Sequence, residues 1–193
     1  MDIPNMILIG STARNSGKTT LAVSIIERYK NEMPVYAIKI TTIAEKNGKC
    51  IHGGSDCGVC SNLKDNYEIT EEKKSDGIKD TSLLLASGAH QVYWLKVVKE
   101  HLKEGINAVI ARIPENALIV CESNSLRKVV HPGFFVIVKN TKVGAIKKSA
   151  SEVWDQADFV FDNNFTDDFA EITSEIDRRI GQKRIPLFPA KVI

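Results

Sequence analysis

With 193 residues, 43% of them hydrophobic, the chain is long enough to bury one enzyme-sized core, and its length alone gives no reason to divide it. Its 26 Lys and Arg against 24 Asp and Glu leave a net charge of +2, with the basic residues spread along the chain, which argues against nucleic acid as the main partner. No run reaches the ~18 apolar residues of a membrane span, and the opening Met-Asp-Ile-Pro is neither cationic nor followed by a long apolar stretch, so a cytoplasmic location away from membranes is the expectation.

The first element is the apolar run Met6–Ile9, which reads as a buried strand. It leads into Gly10-Ser-Thr-Ala-Arg-Asn-Ser-Gly17-Lys18-Thr19-Thr20, and Leu21, Ala22, Ile25, Ile26 and Tyr29 then fall on one helical face. A strand, a glycine-bearing loop, a lysine and a hydroxyl followed by a helix are the parts of a phosphate-binding loop. In that reading Gly17 lets the backbone approach a phosphate, Asn15 and Ser16 line the loop, and Lys18 neutralises the terminal phosphates. Thr19 supplies a Mg²⁺ ligand and Thr20 helps hold the α-phosphate. The alternative is a strand-to-helix turn with no ligand. One detail departs from the common spelling G-x-x-x-x-G-K-[ST]: its first glycine would stand at position 12, where this chain has Thr12.

Val35–Ile40 reads as the second strand. The stretch after it, from about residue 44 to residue 77, is too long for an ordinary connecting loop and is rich in charge and glycine. It carries Cys50, Cys57 and Cys60 with His52 beside them, a compact set that suits tetrahedral zinc or a cluster iron. A redox-active pair and incidental thiols remain open, and reduced cytosolic thiols weigh against a disulfide. A helix from Asp80 to Ser87 closed by Gly88, a strand at Gln91–Leu95 and a helix around 102–113 come next. The strand Ala117–Cys121 ends on Glu122, where an open α/β sheet places the acid that acts on metal-bound water or on the attacking nucleophile. Arg127 just beyond is either a phosphate contact or a solvated loop residue. Phe134–Val138 follows, with Asn140 placed where a base-reading loop belongs, and then Phe159–Phe161. Thr166 is the expected cap of a last helix opened by Asp167 and Asp168, with Phe169, Ile172, Ile176 and Ile180 on one face. Cys121, Trp94 and Trp154 read as packing residues, and His90, His101 and His131 as surface residues. The alternation predicts an α/β fold, a three-layer P-loop NTPase sandwich around a mainly parallel sheet in a single domain.

The order Asn-Ser-Gly17-Lys18-Thr19-Thr20-Leu, Ala-Ile-Lys39 on the second strand, Lys79-Asp80-Thr81, Ser-Gly88-Ala89 and Val-Cys-Glu122 resembles the molybdopterin-guanine dinucleotide biosynthesis protein B family over about the first two thirds of the chain. That family belongs with dethiobiotin synthetase in a wider P-loop class. The resemblance implies a Mg²⁺-dependent GTP- or ATP-binding protein linked to molybdenum-cofactor biosynthesis, with Asp80 and Glu122 near the metal and the terminal phosphates. It also implies a cofactor-biosynthesis protein as partner, with a homodimer as a further expectation. The chain departs from the family where Ile40, Thr41 and Thr42 follow Lys39, and where Ser123 and Asn124 follow Glu122. No N-K-x-D guanine signature is present.

The functional expectation is a Mg²⁺-nucleoside-triphosphate-binding protein with weak hydrolysis or phosphoryl or nucleotidyl transfer, in which Lys18, Glu122 and Asp80 carry the chemistry. Two other classes stay open. One is a dethiobiotin-synthetase-like ligase or small-molecule kinase. The other is a nucleotide-gated metal or Fe–S carrier that uses the cysteine-bearing stretch.

Overall fold

The computed structural model describes residues 1–43, 63–166 and 169–181. Its strands are β1 (Asp2–Ser11), β2 (Val35–Ile43), β3 (Tyr67–Glu71), β4 (Gln91–Val98), β5 (Leu118–Glu122), β6 (His131–Asn140) and β7 (Phe159–Asn163). Its helices are α1 (Lys18–Tyr29), α2 (Asp80–Ala86), α3 (Leu102–Ile110), α4 (Lys148–Ser151) and α5 (Ala170–Gly181). The strands form one seven-stranded sheet in the order β3-β4-β2-β5-β1-β6-β7. Every neighbouring pair is parallel except β3 with β4.

Alternation along the strands divides the core into two layers. Ile7 and Ile9 of β1 face one cluster together with Val35, Ala37, Val120 and Val136, while Met6 and Leu8 face the other with Ile38, Cys121 and Phe135. The first cluster is sealed by Leu21, Ala22, Ile25, Ile26 and Tyr29 of α1, Leu84 of α2, and Ile172 and Ile176 of α5. Leu102, Ile106 and Val109 of α3 cover the second. Both faces of the central strands are thus buried, which is why they read as continuous apolar runs. The result is the expected α/β three-layer sandwich. Among the described residues no helix is long and apolar enough to cross a membrane.

Two parts differ from the sequence expectation. Tyr67–Glu71 lies inside the stretch read as an insertion, yet it is the antiparallel edge strand of the main sheet, with Tyr67 and Ile69 packed against the second cluster. An edge strand needs only one apolar face, so the short alternation in Tyr-Glu-Ile-Thr-Glu carries little signal. At the other end, α5 begins at Ala170 rather than just after Thr166. The Thr166 hydroxyl donates to Asn164 Oδ1 at 2.8 Å, and the Thr173 amide donates to the Phe169 carbonyl at 2.9 Å. Asp167 and Asp168 lie outside the described residues, as do Cys50, His52, Cys57 and Cys60.

Candidate nucleotide site

The carboxyl ends of β1, β5 and β2 meet in register: Ile9 pairs with Glu122, and Glu122 with Lys39. This is the crevice in which open parallel sheets bind ligands. From β1 the chain runs through residues 12–16 and enters α1 at Gly17, whose φ of +85° is the left-handed conformation that a side chain resists. Asn15 is also left-handed, at φ 51°. The first-turn amides of α1 have no helical acceptor, so the helix opens on unpaired N–H donors at its positive end.

The displaced glycine has a packing explanation. A Cβ on Gly10 would stand 2.8 Å from Asn124 Oδ1, so the glycine makes room for a carboxamide rather than for an anion. Asn124 accepts from the Ser11 amide at 2.7 Å and donates to the Ser11 carbonyl at 3.0 Å, clamping the start of the loop to the chain that follows β5. Thr12, where the common motif has glycine, is 1% exposed. Its amide donates to the Val138 carbonyl, and its hydroxyl accepts from the Asn140 amide at 3.0 Å. A threonine there ties the loop to β6. On the far side Asn163 of β7 donates to the Ser16 carbonyl at 3.0 Å, and the Ser16 hydroxyl bonds the Ala13 carbonyl at 2.9 Å. The loop is tied down by the Asn124 and Asn163 side chains and by the main chain of β6.

Charges gather around it. Lys18 reaches back to donate to the Ser11 hydroxyl at 3.0 Å. Burial pushes its ammonium below the ordinary lysine value, and the Glu122 carboxylate opposes that shift. Lys39 lies on the other side of Glu122; burial lowers it too, with Glu122 again opposing and Lys18 adding to the shift. Lys39 also forms an ion pair with Asp80 at the start of α2, so Lys18, Glu122 and Asp80, expected from different parts of the chain, are linked through Lys39 into one cluster. Glu122 is 4% exposed, and its Oε1 is buried with no hydrogen-bond partner. A buried carboxylate oxygen left unpaired among lysines costs free energy unless something else occupies its acceptor site.

That unpaired oxygen is the test of fit for the magnesium that a phosphate loop implies. The donor set of the Thr19 hydroxyl and the Glu122 and Asp80 carboxylates is all oxygen, which suits Mg²⁺, and the metal ordinarily completes its shell with water and phosphate. The residues fit. Among the described residues no group of three or more His, Cys, Asp or Glu is placed to hold a metal ion on its own.

Other sequence candidates fall as follows. Asn15 and Thr20 are exposed and Thr19 half-buried at the mouth of the loop. Asn140 is 6% exposed, and its Oδ1 accepts from the Lys142 amide at 2.9 Å, so it shapes the loop after β6. Arg127 is turned away: its Nη1 donates to the Val130 carbonyl at 3.2 Å and lies 3.2 Å from His131 Nδ1, towards the amino end of β6. Cys121 is fully buried, and burial pushes its thiol well up. Trp94 donates from its indole to the Thr41 hydroxyl at 2.9 Å beneath the Lys96 ammonium, a packing role.

Sequence reading gave no role to three site residues. Lys39 stood in the sequence only as part of the Ala-Ile-Lys39 match, with no role of its own. Asn163 and Lys147 carry no local signal, since both reach the loop from distant segments. Compared with models of known protein families, with curated proteins and with solved structures, the chain matches nothing.

Proposed function

We propose that this chain binds a Mg²⁺-nucleoside triphosphate on the loop from Gly10 to Thr20 and acts on its terminal phosphates. The observation that carries the reading is the buried Glu122 carboxylate, with an unpaired oxygen, in register with Lys39 and within electrostatic reach of Lys18, beside a helix opened by a left-handed Gly17. Cations on the loop side and an acid on the strand side are what positioning and charge stabilisation of a phosphoryl group require. Loop amides and Lys18 bind the phosphate oxygens, Lys39 held by Asp80 adds charge beyond them, and Glu122 accepts a proton from the attacking group. Bound Mg²⁺ would be held by the Thr19 hydroxyl and, through its own waters, by Glu122 and Asp80, and would supply neutralisation of phosphate charge. The favoured biological role is that of an accessory protein in molybdenum-cofactor biosynthesis, which rests on the motif resemblance.

The test is titration of the purified protein with ATP and with GTP in Mg²⁺ buffer, alongside Lys18→Ala. Loss of one ammonium contact to phosphate weakens binding by about ten-fold or more. Unchanged affinity in Lys18→Ala refutes the site. The ratio of ATP to GTP affinity reads out the base.

A further inference from the structure

One cation at the loop has no place in the scheme above. Lys147 precedes α4, and its ammonium donates to the Ser11 hydroxyl at 3.2 Å, the same oxygen that Lys18 reaches at 3.0 Å. Two ammonium groups therefore converge on one neutral oxygen, which already donates its own proton to the Ala13 carbonyl. The Lys147 amide donates to the Thr12 carbonyl at 2.9 Å, so main chain as well as side chain fastens this segment to the loop. Burial drives the Lys147 ammonium down to about 8, and the charges acting on it, Lys18 from α1 and Arg14 from the loop, both repel it and add to that shift. The other lysines at the site have an acid beside them: Lys18 has Glu122, and Lys39 has Asp80. Two ammoniums on one hydroxyl, with Arg14 acting on one of them, make a poor end in themselves, because a serine oxygen offsets no charge. They make a good receptor for an oxyanion carrying two or more negative charges.

We infer that Lys147 is a second phosphate-binding lysine, which reaches in from the segment after β6 and, with Lys18, grips the polyphosphate end of the ligand. This rests on the nucleotide reading, because it places the new contact on the anion that Lys18 holds. Any anion close enough to replace Ser11 as Lys18's partner is within reach of Lys147, since both ammoniums share that oxygen. The contact also explains why a segment remote in sequence is bound to the loop twice. Binding of the phosphates would then be felt at the chain between β6 and α4, where Val143 and Ile146 stand 43% and 45% exposed.

The experiment compares wild type, Lys18→Ala, Lys147→Ala and Lys147→Arg at one ionic strength. Tri-, di- and monophosphates of the preferred nucleoside, and inorganic pyrophosphate, are titrated, and the melting temperature of each ligand-free protein is recorded. Lys147→Ala is expected to weaken triphosphate and pyrophosphate binding about ten- to a hundred-fold, with the monophosphate changed less than about three-fold. Lys147→Arg should recover most of the loss. Relief of cation repulsion should leave ligand-free Lys147→Ala as stable as wild type or more so, the signature of a residue kept for binding at the expense of stability. Pyrophosphate binding as tight as that of the triphosphate would identify the phosphates alone as the ligand end gripped; tight binding of the triphosphate only, still lost in Lys147→Ala, would place the grip on nucleotide.

Three results overturn the inference. If Lys18→Ala loses affinity while Lys147→Ala keeps it, the nucleotide site stands and Lys147 is no part of it. If Lys147→Ala loses all ligands equally and melts lower, the lysine is a brace for the loop. If wild type binds none of the ligands, the site and the inference fall together.

Discussion

Replacing Gly17 by alanine puts the loop geometry to a quantitative test. At φ +85° a Cβ costs roughly 1–2 kcal/mol of backbone strain. The new methyl carbon would also stand 2.4 Å from Asn163 Nδ2, closer than non-bonded atoms approach. Asn163 cannot simply swing aside. It is 4% exposed, its Nδ2 bonds the Ser16 carbonyl at 3.0 Å, and its Oδ1 accepts from the Phe165 amide at 2.8 Å. Displacing it strands a buried carbonyl for about 1–3 kcal/mol more. The combined loss is about 2–5 kcal/mol, a large share of the stability of an ordinary domain. For a chain of this size the melting temperature should fall by about 5–15 °C. Urea unfolding of wild type, Gly17→Ala, Asn163→Ala and the double variant separates the two parts. With Asn163 already truncated, Gly17→Ala should cost only the strain, so the double variant is more stable than additivity predicts by about 1–3 kcal/mol. A loss below about 0.5 kcal/mol in Gly17→Ala would refute the left-handed assignment. Strict additivity would refute the contact with Asn163.

Two further outcomes follow from the charges. Glu122→Gln removes an anion that faces Lys18 and Lys39, so triphosphate affinity should hold or tighten while turnover falls about a hundred-fold or more; steady-state hydrolysis within three-fold of wild type rejects Glu122 as the proton acceptor. Lys147 sits at about 8 in the folded chain against an ordinary 10.5, so between those values the unfolded chain keeps a proton that the folded one has shed, and stability rises with pH. Below about pH 8 both states are protonated and the cost of burying the ammonium is felt in full. Urea midpoints of ligand-free wild type and Lys147→Ala, compared at about pH 7.5 and about pH 9.5, should therefore shift in favour of wild type at the higher pH, and a constant difference rejects the shift.

Much of the fold was legible because buried parallel strands cannot hide. Met6–Ile9, Val35–Ile40, Gln91–Leu95 and Phe134–Val138 all lie within strands of the sheet, Ala117–Cys121 overlaps β5 from Leu118 on, and the structure extends several of them by residues that include buried Ile3, Ile43, Val97 and Val98. The strand, turn and helix around Gly17 were legible for a similar reason. The apolar run, the glycine and the helical face that follow one another there are adjacent in the chain, so local spacing carries the signal. Tyr67–Glu71 was not, because its strand character depends on pairing with β4. The start of α5 was misplaced because a threonine followed by two acids has the composition of a cap, whereas the helix begins only at Ala170.

What the sequence by itself determined, then, is the layered α/β frame and the loop that opens α1, since both depend on hydrophobic period and short-range residue order. What only the tertiary structure decided is the company that loop keeps. Parallel register puts Glu122 opposite Lys39, Asn124 takes the space that Gly10 leaves, and Asn163 and Lys147 arrive from segments more than a hundred residues away in the chain. Electrostatic and steric complementarity between such distant segments leaves no local pattern. It exists only once the sheet has set the strand ends side by side.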